Sequence, residues 1–382
     1  MTTKRSIFED VADGTQQPAK PTGGLIDGAK RGDRRGIRIW LMVLFAMVLV
    51  MIVVGGLTRL TDSGLSITEW RPLTGAIPPM STEAWMSEFS KYQGIPEFQL
   101  QNSEMTMAEF KSIYWWEWGH RQIGRTIGLV WGVGFFFFWL TSRIPTGWTG
   151  RLVGIGALGG LQGAIGWWMV SSGLGGEMLD VASYRLAIHL GLAFAILGLI
   201  TWYILQLARN EVDLLQARRA REVKLFKIST GLMHFVLLQV LLGALVAGID
   251  AGRTYTDWPL MAGSFFPPYP FDLTPIWRNF FEDPGLVQFI HRMAGYLLLA
   301  FAIVVWRRGH ASARIGTRRA FDWAMGMILV QIALGISTVL YAAPWQIAIV
   351  HQLVAVIVWV LVIRARFQAG YPITQTVRGA SV

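Results

Sequence analysis

The chain has 382 residues, of which 53% are hydrophobic and 15% are charged. Its mean hydropathy is +0.43, and uncharged runs of about 18 or more residues recur, each long enough to cross about 30 Å of hydrocarbon. This composition excludes a soluble protein. The absence of cysteine excludes disulfides, thiolate-bound zinc, iron–sulfur clusters and cysteine nucleophiles. The net charge of +10 does not indicate nucleic-acid binding, because Lys and Arg cluster in particular loops between the apolar runs.

The first segment, residues 1–37, is polar, rich in Gly, Pro and Arg, and also contains several acidic residues. A cleaved signal peptide would need an early apolar core, and a mitochondrial presequence would be poor in acids. We therefore predict a disordered cytoplasmic tail.

Eight apolar segments follow the tail, and each is predicted to be a helix because lipid offers the backbone no other hydrogen-bond partner. The predicted spans are 38–58, 119–140, 152–171, 186–206, 228–248, 286–306, 321–341 and 346–364. Basic residues concentrate in the tail, in alternate loops and after the last span, so the positive-inside rule makes that side cytoplasmic. Both termini are predicted to be cytoplasmic, which points the opposite ends of the helices toward the periplasm.

The two halves of the chain repeat one another. The segment 62–70 contains Asp-Ser-Gly and then Thr-Glu-Trp, and 250–258 contains Asp-Ala-Gly and then Thr-Asp-Trp, at an offset of 250 − 62 = 188. Gln-x-Ala-x-Gly likewise occurs at 162–166 and at 331–335. We predict an all-α integral membrane fold of two tandem four-helix bundles. The predicted units are an N-terminal half at 38–206, a basic cytoplasmic linker at 207–227, a C-terminal half at 228–366 and a cytoplasmic tail at 367–382.

Four histidines lie at the predicted outer ends of the even-numbered helices: His120, His189, His291 and His351. His120 and His291 each open a His-Arg-x-x-Gly motif, and each is followed by a second histidine two helices later. Two facing imidazoles at one depth match the axial ligands of a six-coordinate heme. A single histidine within a membrane is often only a hydrogen-bonding group between helices, but four in register across a repeat favour two heme sites.

The repeat is broken one turn before the first histidine of each pair. Glu117 precedes His120 by three residues, whereas Gln288 holds the equivalent position in the second half. A carboxylate in a membrane is costly and indicates function; the alternative is an interfacial residue that interacts with the helix dipole. We predict chemistry in the first half and electron transfer in the second. Arg121 and Arg292 are candidates for binding heme propionates.

Several motifs along the chain resemble those of one known family, the heme A synthases, in its proteobacterial and mitochondrial branch. The resemblance covers residues 38–366. It rests on Gly-Gly-Leu-Thr-Arg-Leu-Thr-Asp-Ser-Gly-Leu-Ser at 55–66, Glu69-Trp70-x-Pro72, Glu117-x-x-His120-Arg121, Thr-Asp-Trp-Pro-Leu-Met at 256–261, His291-Arg292 and His351. It implies oxidation of the C8 methyl of heme O to a formyl group by two successive hydroxylations, giving heme A for terminal oxidases in the bacterial inner membrane.

The resemblance also implies roles for the site residues. His120 and His189 would bind the substrate heme, His291 and His351 would bind a resident heme B, and Glu117 would be the catalytic glutamate. Either one of the first two histidines dissociates during turnover, or the macrocycle loses electrons and adds water while Glu117 takes the proton. The implied partners are a heme O synthase, an unidentified electron donor or acceptor and the lipid bilayer. Some relatives carry a cysteine pair in the first outer loop, which this chain lacks.

Two alternatives remain open on the residues alone. A diheme b-type cytochrome that exchanges electrons with quinol also uses paired histidines in four-helix bundles, but it would not need Glu117. A heme carrier or assembly factor would bind heme without changing it. The oligomeric state is open as well, a homo-oligomer included.

Overall fold

The computed structural model describes residues 32–175 and 179–373, and within these residues the fold is all-α, with eight helices long and apolar enough to cross a membrane. They are α1 (Arg34–Leu60), α2 (Met107–Leu140), α3 (Thr149–Val170), α4 (Ser183–Leu207), α5 (Val223–Gly248), α6 (Pro284–His310), α7 (Ile315–Leu340) and α8 (Trp345–Gly370). The predicted all-α membrane fold is confirmed. The predicted tails lie mainly outside the described residues, and α1 and α8 extend into the parts that are described.

Each half is a closed ring of four helices. In the first half α1 packs against α2 and α4, and α3 packs against α2 and α4. In the second half α5 packs against α6 and α8, and α7 packs against α6 and α8. The even-numbered helices are therefore diagonal in each bundle, so a pair of inward side chains on them can face each other across its interior.

The two bundles meet through equivalent helices, α1 and α4 of the first against α5 and α8 of the second. Two polar side chains of α8 cross this interface. Gln352 donates to the backbone oxygen of Ile52 at 2.7 Å, and the indole N–H of Trp359 donates to the oxygen of Phe194 at 2.8 Å. Buried donors of this kind need a partner, so these bonds fix the register of α8 against α1 and α4.

A cluster of charges joins the bundles at the ends of α1 and α5. Arg59 forms ion pairs with Asp62 at 2.6 Å, Asp250 at 2.9 Å and Asp180 at 3.6 Å. Asp62 and Asp250 are the equivalent residues of the repeat. One guanidinium therefore links corresponding loops of both halves.

Helix α2 begins at Met107 rather than at 119, where hydropathy placed its start. Thr106 caps it in a capping box with Glu109, and Phe110 and Tyr114 in the added turns pack into an aromatic cluster of the preceding loop. Charged residues lower the mean hydropathy of these turns, so the hydropathy prediction did not include them in the span. Glu117 consequently lies well inside the helix, beyond the first turn in which a carboxylate interacts with the helix dipole.

The loop before α2 contains helices Thr82–Gln93 and Pro96–Leu100, and it buries the carboxyl group of Glu97. Oε1 of Glu97 accepts hydrogen bonds from the Tyr92 hydroxyl at 3.2 Å and from Asn102 at 3.3 Å. Oε2 has no partner among the described residues. Burial raises the pKa of Glu97 to about 8, so the folded protein keeps this carboxyl protonated at neutral pH.

This protonation makes stability depend on pH. Between the ordinary carboxyl pKa of 4.5 and about 8, the folded state holds a proton that the unfolded state has lost, so stability falls as pH rises. We expect Glu97→Gln to remove this part of the fall, measured as the difference in melting temperature between pH 5 and pH 8 in detergent. Glu104→Gln, at an exposed position of the same loop, should behave as the parent. Equal slopes for Glu97→Gln and the parent would contradict the assignment.

Candidate functional site: two histidine pairs

The four predicted histidines lie on the diagonal helices of the two bundles. His120 is on α2 and His189 on α4, the diagonal helices of the first bundle. His291 on α6 and His351 on α8 hold the equivalent positions in the second bundle. The structure therefore brings together each predicted pair.

Each imidazole packs against a glycine of the preceding helix. A Cβ placed on that glycine would approach the ring more closely than the about 3.5–4.0 Å of an ordinary carbon contact. The pairs and the closest distances are Gly55 with His120 at 2.8 Å, Gly166 with His189 at 2.9 Å, Gly243 with His291 at 3.1 Å and Gly335 with His351 at 3.1 Å. Any side chain there would displace the ring, so these glycines determine where the imidazoles lie.

Glutamine side chains contact three of the rings. Nε2 of Gln162 lies 3.2 Å from Nδ1 of His189, and Nε2 of Gln239 lies 3.1 Å from Nδ1 of His291. Nε2 of Gln331 lies 3.3 Å from Nε2 of His351. These glutamines were not singled out as site residues from the sequence, although the repeated Gln-x-Ala-x-Gly motif contained two of them.

The donor set fits heme rather than a metal held by protein alone. No group of three or more His, Cys, Asp or Glu capable of holding a metal ion occurs in the described residues, whereas two imidazole nitrogens per bundle match the two axial positions of heme iron. The Oε1 atoms of Gln162, Gln239 and Gln331 are buried without a described partner. Nδ1 of His351 is likewise buried without a described partner.

Glu117 is buried and accepts four hydrogen bonds. Its Oε2 accepts from the Ser66 hydroxyl and from the backbone N–H of Ile67, both at 2.7 Å. Its Oε1 accepts from Arg121 Nε at 3.1 Å and Nη2 at 2.6 Å. Every oxygen of the carboxylate is thus matched to a donor, which compensates for burying its charge.

Gln288, at the equivalent position of the second half, contacts the equivalent loop with the opposite polarity. Its Nε2 donates to the backbone oxygens of Ala251 at 3.0 Å and Tyr255 at 3.1 Å, and its Oε1 accepts from Arg292 at 3.2 Å. The loop offers donors to Glu117 and acceptors to Gln288. This break in the repeat therefore has a structural consequence as well as the catalytic one predicted.

The two arginines of the His-Arg motifs bind the same loops. Arg121 donates to the backbone oxygen of Ile67 at 2.8 Å and of Glu69 at 3.0 Å. Arg292 donates to that of Tyr255 at 3.0 Å and of Asp257 at 3.0 Å. The acceptors are equivalent, because 255 − 67 and 257 − 69 both equal 188. The arginines therefore hold the loops over the histidines, a role that the sequence analysis missed.

Arg121 also lines a cavity of about 340 Å³ together with Arg71, Lys91 and Arg125. Arg71 and Lys91 each form ion pairs with Glu69 and Glu88, and Glu88 also lines the cavity. The cavity therefore contains several cationic groups, among them Arg121, the neighbour of His120 in the chain. That Arg121 or Arg292 binds a propionate stays a prediction.

Comparison with known proteins identifies the family. A family model described as "Cytochrome oxidase assembly protein", COX15-CtaA, matches residues 38–363. The chain belongs to this family. It is 62% identical over 379 residues to the heme A synthase of Ruegeria sp. (strain TM1040), covering 99% of this chain and 100% of that protein. It is 63% identical over 383 residues to the heme A synthase of Dinoroseobacter shibae, with 100% of both covered, and 59% identical over 376 residues to that of Paracoccus denitrificans, with 98% and 99% covered.

These matches confirm the predicted family and the prediction of an enzyme, because the relatives carry an enzyme's name over essentially their whole length. The roles predicted for single residues of this COX15-CtaA member stay predictions, although the structure places all of them at the two histidine pairs or at the loops above them.

The glycine contacts predict how heme content responds to a single methyl group. Gly166→Ala should push the ring of His189 out of position and lower the heme bound per chain toward half of the parent's, because the new Cβ would lie 2.9 Å from the ring. Gly163→Ala on the same helix is the matched control, because a Cβ there meets nothing within 4 Å. Heme per chain, measured as the pyridine complex of the purified protein, checks the prediction. Equal heme content in the two variants would show that the glycine contact does not position the ligand.

Proposed function

We propose that this protein is a heme A synthase that oxidises heme O to heme A in the inner membrane. One observation carries the proposal: a chain that matches heme A synthases along its whole length holds a glycine-packed histidine pair in each of two bundles. A single heme-binding bundle would suffice for a carrier. Two bundles of unequal chemistry favour an enzyme that binds a substrate heme and a redox heme separately.

The buried carboxylate of Glu117 distinguishes the bundle that binds the substrate heme from the bundle that binds the resident heme. His120 and His189 bind heme O as substrate, because Glu117 lies one turn from His120. His291 and His351 bind heme B as the resident cofactor, where Gln288 replaces the carboxylate. Heme B, when bound, supplies one-electron redox chemistry. Proton transfer is then confined to the first half, whereas the second half transfers electrons.

The reaction converts the C8 methyl of heme O to an alcohol and then to a geminal diol, which loses water to give the formyl group. With water as the oxygen source, each hydroxylation replaces one C–H bond of the methyl carbon by a C–O bond, and it releases two protons and two electrons, which pass to the separate electron acceptor. Glu117 accepts a proton at Oε2, where the Ser66 hydroxyl is already hydrogen-bonded to it at 2.7 Å. Arg121 holds the other oxygen through two N–H groups, which keeps the carboxyl group oriented before the step.

Position in the membrane follows from the charges of the loops. The basic connections at the ends opposite the histidines favour a cytoplasmic location for those ends, so we place both heme sites toward the periplasm. A heme O synthase in the same membrane is the proposed partner, because heme O is too apolar to cross water freely. A separate electron donor or acceptor balances the oxidation.

Chromatography of acid-extracted hemes, after co-expression with a source of heme O, tests this function. The parent should contain heme B together with heme A or its alcohol precursor. Glu117→Gln should keep heme B but lose heme A by about 100-fold or more, the usual contribution of a general base. Ser66→Ala, which keeps the carboxylate and removes one donor, is the matched control and should retain heme A at a reduced level.

The Glu117→Gln variant also loses stability, and the assay must separate this loss from the loss of activity. An amide at 117 directs an NH₂ group toward existing donors, which costs about 1–3 kcal/mol, so the heme B content and melting temperature of each variant are recorded beside the chromatogram. Full heme A in Glu117→Gln would remove Glu117 from the mechanism. Heme B alone in the parent at two per chain would indicate an electron-transfer cytochrome, and mixed heme at low occupancy would indicate a carrier.

A further inference from the structure

The cationic cavity beside α2 lies on the side of that helix that faces away from the histidines. Arg125 lines the cavity and follows His120 by five residues. At about 100° per residue, the two side chains point in directions about 140° apart around the helix. Arg125 donates to the backbone oxygens of Arg71 and Pro72, both at 2.9 Å. These bonds hold the loop that precedes α2 against the outer face of the helix.

The cavity contains more positive charge than its carboxylate partners neutralise. Arg71 and Lys91 form their ion pairs with two glutamates, and Arg121 forms its ion pair with a third. Arg125 is the fourth cation of the lining, and it forms no ion pair with any residue that the structure describes. Four cations and three carboxyl groups leave at least one positive charge, which belongs to Arg125.

The guanidinium of Arg125 also retains hydrogen-bond donors. Besides its two bonds to the loop backbone, its Nη1 donates to Oε1 of Gln122 at 3.3 Å. A guanidinium carries five N–H groups, so one N–H on each of Nη1 and Nη2 finds no acceptor among the described residues. Paired N–H groups of this kind are the arrangement in which arginine binds the oxygens of a phosphate or a carboxylate.

The position of Arg125 along α2 places the cavity at the boundary between lipid headgroups and acyl chains. Arg125 lies 125 − 119 = 6 residues beyond the predicted start of the second span, or about 9 Å along the helix axis. Leu73, Ile77 and Met80 of the loop are 84%, 72% and 81% exposed, and Ile77 and Met80 line the cavity. A basic head beside exposed apolar side chains is typical of this boundary.

We propose that this cavity binds one anionic phospholipid, with its phosphate on the guanidinium of Arg125 and its acyl chains against Ile77 and Met80. The surplus positive charge favours a headgroup with a net negative charge over a zwitterionic one. A free phosphate ion would gain nothing from the exposed apolar side chains, and a heme propionate would approach α2 from the side of His120. The lipid site is independent of the heme chemistry proposed above.

Native mass spectrometry of the full-length, heme-loaded protein counts the lipids that stay bound. In mixed micelles with phosphatidylglycerol, Arg125→Gln should retain one molecule fewer per chain than the parent until about 10-fold more lipid is added, because it loses hydrogen bonds to a charged group. Lys111→Gln is the matched control, since it removes a cation of α2 that lies outside the cavity, and it should bind as the parent does. Phosphatidylcholine with the same acyl chains should not distinguish the three proteins.

A second variant keeps every charge, so it tests the site even if Arg125→Gln folds poorly. A Cβ on Gly75 would lie 2.7 Å from Nη2 of Arg125, so Gly75→Ala should displace the guanidinium and lose the same lipid. Gly64→Ala in the same loop is its matched control, because a Cβ there meets nothing within 4 Å. Heme content is measured for every variant beside the lipid count.

Parental lipid retention in both Arg125→Gln and Gly75→Ala overturns the proposal. Loss of heme in step with loss of lipid would overturn it as well, by identifying a heme propionate as the anion. Displacement of the lipid by inorganic phosphate would show an anion site without lipid specificity, and an equal loss of phosphatidylcholine would refute the preference for an anionic headgroup. The extracted hemes test the proposed function separately, because lipid retention does not depend on which heme the bundles contain.

Discussion

The structure depends on hydrogen bonds between the helices that carry the first histidines and the loops that cross above them. Arg121 and Arg292 each donate to two backbone oxygens at equivalent loop positions, and the residue one turn earlier binds the same loop. Backbone groups near the membrane cannot rely on water, so their partners must come from the protein. The loop bonds and the imidazole positions are therefore set by adjacent turns of one helix, and disturbing either disturbs the other.

Duplication explains how such a site arises twice and why its departures from symmetry matter. A glycine that faces each imidazole is common to both bundles because the ring leaves no room for a Cβ. Glutamine at 288 and glutamate at 117 fill the same space, but they require loops of opposite polarity. The backbone groups that meet them differ accordingly, because the N–H of Ile67 donates to Glu117 in one half and the carbonyl oxygen of Tyr255 accepts from Gln288 in the other. The carboxylate is thus built into its bundle rather than placed at a surface.

Hydropathy predicted the eight spans, because a helix that crosses a membrane must be apolar over about 20 residues. The internal repeat predicted the two bundles and the placement of the four histidines in two pairs. The start of α2 was missed, since Glu109 and Lys111 interrupt the apolar run while Thr106 caps a helix that hydropathy does not detect. The structural role of Arg121 was missed because a sequence does not reveal that its donors reach the backbone of residues 67–69.

Glu117 is the departure from symmetry that lies beside a histidine of the first bundle. It has a sufficient structural role as an anchor of the loop, because its hydrogen bonds go to Ser66, Ile67 and Arg121. The same bonds hold a buried carboxylate one turn from His120, whereas Gln288 provides a neutral amide at the equivalent position of the second bundle. Under the proposed function, this difference assigns proton transfer to the first bundle and leaves electron transfer to the second.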